Sequence, residues 1–432
     1  VKKLLELAET CFVVIGFTFF TGGLTLGGSE DGTSAGLLAP PLVTAIRYSI
    51  WLISSLLLLV NWKKTLYTAS RDWLLWVVMG LTLVSFAWSD LSEWVFWNER
   101  EVLQMISFGL YFATRFTLRQ QVRLLALSLM VGGFASMLFA IGMPSVGKHG
   151  ADHPGAWKGI YDYKNTFGSM MVLGAVTLFL LPIERPIERV LRWVGLAFCV
   201  VLILLTTSKT ALVVLCAMTA MLTFYRKFRW QGKLSVILLD LGVLVMGCVT
   251  TVLLNTWVDV VKGLGKDPTL SGRTYIWQVV GFHFWEKPWF GFGRGAFWAP
   301  ESRYPSTAAL FFGDQYVPPH AHNGFIDTAL DIGLVGLALF LICFVVAYLQ
   351  ALRRAYAPKY SEDLFPLAFL TFLALNNMTE SYLLRLSNVY LVLFISTTLT
   401  LRRRWQLDQD EDREENLSLP KYGNLQISKD QT

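Results

Sequence analysis

Twelve apolar runs punctuate the chain, near residues 11–26, 42–60, 73–89, 99–114, 124–143, 166–182, 190–207, 210–224, 234–254, 325–349, 364–379 and 386–401. A membrane-crossing helix needs about 20 mostly apolar residues, somewhat fewer where neighbours shield its ends. The pattern therefore predicts an all-α polytopic membrane protein with about twelve transmembrane helices. The fourth run contains Arg100 and Glu101, and the stretch 190–224 is broken in two by Thr206-Thr207-Ser208-Lys209. The first run follows Lys2 and Lys3 as a signal peptide would, yet no small-residue cleavage site closes it, so it reads as a retained span.

Composition sharpens this picture. Of 432 residues, 54% are hydrophobic and 16% charged, against about 25% charged in soluble domains, which excludes most soluble readings. Cys11, Cys199, Cys216, Cys248 and Cys343 all lie in apolar runs without CxxC spacing, so neither a disulfide framework nor a cysteine zinc site is indicated. A net charge of +6 raises the question of nucleic acid, but the basic residues form short clusters between apolar runs rather than one patch, which argues against that partner. Those clusters instead set orientation, because inner connections carry the excess of Lys and Arg. With the N-terminus inside, Lys63/Lys64/Arg71, Arg115/Arg119/Arg123, Arg185/Arg189/Arg192, Arg226/Lys227/Arg229/Lys233, Arg353/Arg354/Lys359 and Arg402/Arg403/Arg404 all fall on the inner side, and both termini are cytoplasmic. The chain divides into spans one to nine (1–254), one large outer loop (255–324), spans ten to twelve (325–401) and an acidic solvated tail (402–432).

The outer loop, about seventy residues long, is large enough to expect function from it. Ile276, Trp277, Val280 and Phe284 recur at helical spacing within it, and a Gly-rich run, Gly291-Phe-Gly293-Arg-Gly295, follows Pro288. No strand precedes those glycines, so they are a poor match for a dinucleotide loop. All five histidines, His149, His153, His283, His320 and His322, fall on the outer side. In Pro318-Pro319-His320-Ala321-His322-Asn323-Gly324 the prolines stop any upstream helix, placing His322 and Asn323 at the N-terminus of span ten, where free N–H groups favour an anion. Ile326, Ala329, Gly333 and Gly336 continue that face and leave a groove beneath the histidine. Three readings of the pair stay open: a proton acceptor, a hydrogen-bonded loop lock above close helix packing, and half of a zinc site that lacks a third ligand at suitable spacing.

Cations are the second unusual feature. Arg47, Arg100, Lys148, Lys158, Lys164, Lys209 and Arg385 sit on the outer side in or beside spans, and the loop adds Arg273, Arg294 and Arg303. Unpaired charge there is expensive. Glu93, Glu99, Asp327, Asp331 and Glu380 could pair with individual members, whereas the excess as a set fits a phosphate-bearing ligand such as a pyrophosphate at the outer leaflet.

His322-Asn323, nine residues, then Gly333-Leu-Val-Gly336 resembles the H-N-x9-G-x-x-G pattern of bacterial O-antigen ligases. Tyr163-Lys164-Asn165-Thr166-Phe167-Gly168 resembles that family's segment opening span six, and Ser208-Lys209-Thr210-Ala211 resembles its turn between spans seven and eight. The resemblance extends over about residues 40–400 and implies a GT-C-type architecture with one large periplasmic loop in the bacterial inner membrane. It implies an enzyme that moves O antigen from undecaprenyl pyrophosphate to a sugar hydroxyl of lipid A-core. On that expectation His322 is the general base, with His320 in reserve, and Arg47, Arg100, Lys164, Asn165, Lys209, Arg273, Arg294, His320 and Asn323 bind substrate. Transfer is expected to be inverting and to use neither metal nor cofactor. O-antigen polymerases and protein O-oligosaccharyltransferases share the superfamily; one large loop and a short tail favour the ligase. A lipid-linked oligosaccharide flippase is the non-enzymatic alternative, though its charges should gather near the membrane midplane.

Overall fold

A computed structural model of the chain describes residues 2–25, 38–150, 153–227, 273–309, 317–356, 358–384 and 388–402. The run at 234–254, Arg385, Cys248, parts of the outer loop and the tail beyond 402 lie outside the described residues. Eleven of the twelve apolar runs fold as helices. In chain order the helices are α1 (Lys2–Phe20), α2 (Pro40–Val60), α3 (Trp62–Ala69), α4 (Trp73–Leu83), α5 (Ser92–Arg115), α6 (Leu118–Gly142), α7 (Pro144–Gly147), α8 (Lys164–Phe179), α9 (Pro186–Leu205), α10 (Lys209–Lys227), α11 (Arg273–Phe284), α12 (Tyr304–Ala309), α13 (Gly324–Tyr356), α14 (Phe365–Asn377) and α15 (Val389–Arg402). No strand occurs among the described residues, and the protein is a helical membrane protein. By length and composition α2, α6 and α13 are long and apolar enough to cross a bilayer.

Local chemistry explains the boundaries. Asp72 caps α4 by accepting from the Leu75 amide at 3.1 Å. Thr117 and Gln120 form a reciprocal capping box that starts α6. Prolines open α2, α9 and α14, where a missing N–H costs nothing. Helices α8 and α15 form the centre of the bundle: residues 167–178 and 389–400 are buried without a break. Their uniformly apolar sequences suit a helix surrounded by others. The flanks of α2, α6 and α9 instead expose Leu52, Leu56, Phe134, Leu138, Leu191 and Val194, the inverse of a soluble protein and the expected face toward lipid.

Polar contacts separate cleanly by end. Arg115 pairs with Glu9 at 2.7 Å, Arg119 and Arg123 with Glu184 at 2.7 and 2.9 Å, Arg354 with Asp363 at 2.9 Å and Arg402 with Asp72 at 3.0 Å. All of these come from the side that the Lys/Arg alternation groups together. The described histidines and the cations Arg47, Arg100, Lys164, Lys209 and Arg273 belong to the connections of the other side.

The expected groove below His322 is filled. At Gly333 α13 leaves helical geometry (φ 70°, ψ −174°), and the segment 288–293 lies against the opened turn as an added strand would. The Phe292 and Gly293 amides donate to the Leu330 and Asp331 carbonyls at 2.7 and 3.0 Å, and Leu334 and Val335 donate back to Pro288 and Trp289 at 2.8 and 3.2 Å. A Cβ on Gly333 would stand 2.1 Å from the Trp289 carbonyl oxygen. The glycine therefore admits a backbone, not a ligand. Gly333→Ala should lower the apparent melting temperature of the purified protein sharply, because the conformation is restricted to glycine and the carbonyl has nowhere to go. Gly80→Ala, with no atom within 4 Å of the new methyl, should leave it unchanged or slightly raised. Equal midpoints for the two variants would contradict this account.

Candidate functional site

The stretch 320–324 is held from several sides before α13 begins. Asn323 caps the helix, its Oδ1 accepting from the Phe325 and Ile326 amides at 3.0 and 3.2 Å. Asp327, one turn down, accepts from the Ala321 amide and from the Trp298 indole at 2.7 Å, and also from the Ser381 hydroxyl. Trp277 on α11 donates to the Ala321 carbonyl at 2.8 Å. These ties hold His322 in a left-handed backbone conformation (φ 52°) that few non-glycine residues adopt, a strain characteristic of functional positions.

The side chain held there meets Glu380, in the connection between α14 and α15. His322 Nδ1 lies 3.2 Å from Glu380 Oε2. Glu380 Oε1 accepts from Arg273 Nη2 at 3.2 Å and from Asn165 Nδ2 at 3.0 Å. Asn165 Oδ1 in turn accepts from the Ser208 hydroxyl at 2.8 Å. One carboxylate thus gathers the starts of α8, α10, α11 and α13. Burial pushes the Glu380 carboxyl up, but the His322 hydrogen bond and charge, the Arg273 guanidinium and the Asn165 amide together hold it below the usual carboxylate range.

This arrangement fixes which ring nitrogens face which partners. An ionised carboxylate only accepts, so His322 Nδ1 carries a proton and donates to it. Nε2 makes no hydrogen bond among the described residues. In His320, Nδ1 accepts from the His322 amide at 3.0 Å, which leaves the ring proton on Nε2. The Nδ1 lone pair of His320 is thus taken up by that amide. The two rings lie 4.1 Å apart. His320, His322 and Glu380 also place ligand atoms within 4.8 Å of one another, a spacing a metal ion could use. The Arg273 guanidinium on the same carboxylate competes electrostatically with such an ion.

The remaining sequence candidates divide into two groups. Lys164 opens α8 next to Asn165, and Lys209, exposed at the start of α10, is near enough for the two ammonium charges to repel. Of the three cations Lys164, Lys209 and Arg273, Arg273 contacts Glu380 directly, and Lys164 adjoins Glu380's partner Asn165 in sequence. Arg47, Arg100 and Arg294 lie apart. Arg47 pairs with Glu101 at 3.0 Å, and Arg100 donates to the Tyr48 hydroxyl at 3.1 Å. Arg294, 2% exposed, donates to the Leu384 and Asn98 carbonyls at 2.7 and 3.0 Å and lies 3.8 Å from Glu101. Their geometry is that of structural pairs. Glu380 is the residue that sequence reasoning placed only among possible counter-charges; a carboxylate in the short connection between two apolar runs was the available signal.

Residues 194–341 match the family model described as O-Antigen ligase. The match spans 148 of the 432 residues, about a third of the chain, and is a likeness to that family. The exopolysaccharide production protein ExoQ of Rhizobium meliloti is 34% identical over 120 residues, covering 27% of this chain and 26% of that protein. Candidate polysaccharide ligases of Rickettsia conorii and Rickettsia felis are 32% and 31% identical over 99 residues, each covering 22% of this chain and 23% of the relative. The matched stretches thus span about a quarter of each relative's length. The stretches around Asn165, Ser208 and His322 are distant in sequence, and all three converge on Glu380.

The depressed Glu380 pKa carries a sign. A group held below its unfolded value contributes stability that is whole above that value, ordinarily 4.5, and is lost as pH falls through the folded one. Glu380→Gln should therefore be less thermostable than wild type near neutrality, and the gap should narrow as the pH falls below about 4. A gap that stays constant with pH would mean the carboxylate is not ionised in the fold.

Proposed function

We propose that the protein is an O-antigen ligase: it transfers a glycan from undecaprenyl pyrophosphate to a sugar hydroxyl of lipid A-core on the periplasmic side of the inner membrane. The observation that carries this reading is the Glu380-anchored histidine, an imidazole whose Nδ1 meets a carboxylate that Arg273 also holds. Substitution at an anomeric carbon with a pyrophosphate leaving group needs two services. Negative charge developing on the leaving group must be stabilised, and the acceptor hydroxyl must lose its proton.

His322 Nε2 takes that proton in this scheme. Glu380 stabilises the imidazolium that results and keeps the ring oriented, as a carboxylate does behind a catalytic histidine. Arg273, Lys164 and Lys209 hold pyrophosphate oxygens. Arg47, Arg100 and Arg294 act at one remove, by fastening the elements that carry the site. Attack from the side opposite the leaving group inverts the anomeric centre. The cations make a divalent ion dispensable in this reading.

His322→Ala should reduce transfer by the purified protein about a hundredfold or more, while the variant stays folded in the membrane. His320→Ala should cost less. Arg273→Lys should impair turnover, since a point charge does not reproduce the guanidinium fork, whereas Arg100→Lys should be close to silent. Wild-type turnover by His322→Ala would refute the base, and full loss of transfer in EDTA, restored by magnesium or manganese, would refute the metal-free scheme. The relatives' names span both exopolysaccharide production and polysaccharide ligation, so the ligase needs separating from the polymerase. A strain without the gene should accumulate bare core together with full-length lipid-linked polymer; core capped by a single repeat would identify a polymerase instead. Transfer by purified protein with no second compartment excludes a flippase.

A further inference from the structure

A second recess lies apart from Glu380. The turn before α5, with Ser89 and Asp90, faces Phe292, Glu301, Ser302 and Arg303 across a cavity of about 320 Å³, at the lower end of the size range of small-ligand sites. Its floor is rigid. Phe292 and Tyr304 are buried in one apolar cluster, Phe297 stacks on Tyr304 at 4.7 Å, and Phe292 meets Tyr304 edge-on at 5.0 Å. The polar wall is pre-set as well. Asp90 accepts from Lys287 at 2.7 Å, and Arg303 donates to Glu286 at 3.2 Å. Glu301 is exposed and makes no hydrogen bond or ion pair among the described residues.

The chemistry differs from that around Glu380. There, Arg273, His322 and Asn165 converge on one carboxylate. Here Asp90 is already paired with Lys287 and Arg303 with Glu286, and the exposed Glu301 shares the lining with Ser89 and Ser302, so an anion is not favoured. Carboxylates accept pairs of hydroxyl protons, a guanidinium donates to hydroxyl oxygens, and the apolar floor suits a C–H face. A neutral polyhydroxyl ring meets all three. The recess is also tied to the histidine. Trp298, in the same loop, donates to Asp327, and the Gly295 amide donates to Asp331 at 2.7 Å, both on the helix that begins beside His322.

We propose that this recess binds one sugar ring of the glycan substrates, through Asp90, Glu301 and Arg303. The assignment rests on reading the protein as a glycan transferase. The ring could belong to the donor glycan or to the acceptor, and the chemistry on the protein side is the same. The probes are the free oligosaccharides released by mild acid from the lipid-linked donor and from the glycolipid acceptor of the source organism. Binding to the full chain in nanodiscs is followed by saturation-transfer NMR, alongside transfer kinetics with the intact lipids.

Glu301→Gln and Asp90→Asn should each raise KM and the oligosaccharide Kd for one of the two glycans about tenfold, the loss of a hydrogen bond to a charged group, with kcat little changed. A rise confined to the acceptor identifies an acceptor ring, and one confined to the donor identifies a donor ring. Unchanged binding and KM for both glycans in both variants overturns the proposal. His322→Ala should bind the free oligosaccharide as wild type does, so the recess is tested even if the transfer chemistry assigned to His322 fails. Loss of oligosaccharide binding in His322→Ala with retention in Glu301→Gln would place the sugar at the histidine and also overturn it.

Discussion

Placing an ionised carboxylate out of water costs several kcal/mol unless opposite charge and hydrogen bonds replace the lost hydration. Glu380 meets that demand with groups from three separate segments: Asn165 at the start of α8, Arg273 on α11 and His322 before α13. None of these partners is near it in sequence. The compensation works only when the ends of those helices assemble in one arrangement, so the carboxylate converts a loose requirement for apolar packing into a specific one at the outer end of the bundle. Charge-assisted bonds of this kind are about twice as strong as neutral ones, and removing one partner leaves the others buried against an uncompensated charge.

A second constraint governs how α13 approaches that point. The helix opens at Gly333, and the backbone of 288–293 fills the opening with four main-chain hydrogen bonds. Gly291 shares in it, since a Cβ there would lie 2.4 Å from the Leu330 carbonyl oxygen. Arg294 follows directly and bonds carbonyls at Asn98 and Leu384. One short loop therefore links α5, the 380s connection and the opened turn of α13. The glycines and the arginine that look like ligand-binding features in sequence are the parts of this joint. Apolar packing in a membrane bundle has little directional content, and polar backbone joints of this type supply it.

Helix positions were legible because a 20-residue apolar run has few alternatives in a chain this poor in charge. The separation of the two ends was legible too: each inner pair, such as Arg402 with Asp72 or Arg354 with Asp363, joins residues that the Lys/Arg alternation had grouped. His322 and Asn323 could be placed from the prolines before them and the capping chemistry of asparagine. The unwinding at Gly333 was not legible, since Gly333 and Gly336 fit a smooth small-residue face equally well and only the docked loop decides between them. Nor was the division of the arginines. Whether a guanidinium faces a carboxylate or a carbonyl depends on long-range partners: Arg273 pairs with Glu380, whereas Arg294, in the same loop, bonds the Leu384 and Asn98 carbonyls.

The two histidines show how far local geometry constrains chemistry once those partners are known. They are two residues apart with rings 4.1 Å from each other, and sequence gives little reason to prefer one. Hydrogen bonding breaks the tie. The acceptor nitrogen of His320 is occupied by a backbone amide that does not titrate, so taking up a proton there would break a bond that holds His322 in its left-handed conformation. His322 donates from Nδ1 to a carboxylate, and protonation of Nε2 turns that neutral-to-charged bond into an ion pair across the same 3.2 Å. In the proposed scheme Glu380 therefore strengthens its hold on the ring as the ring takes up the proton.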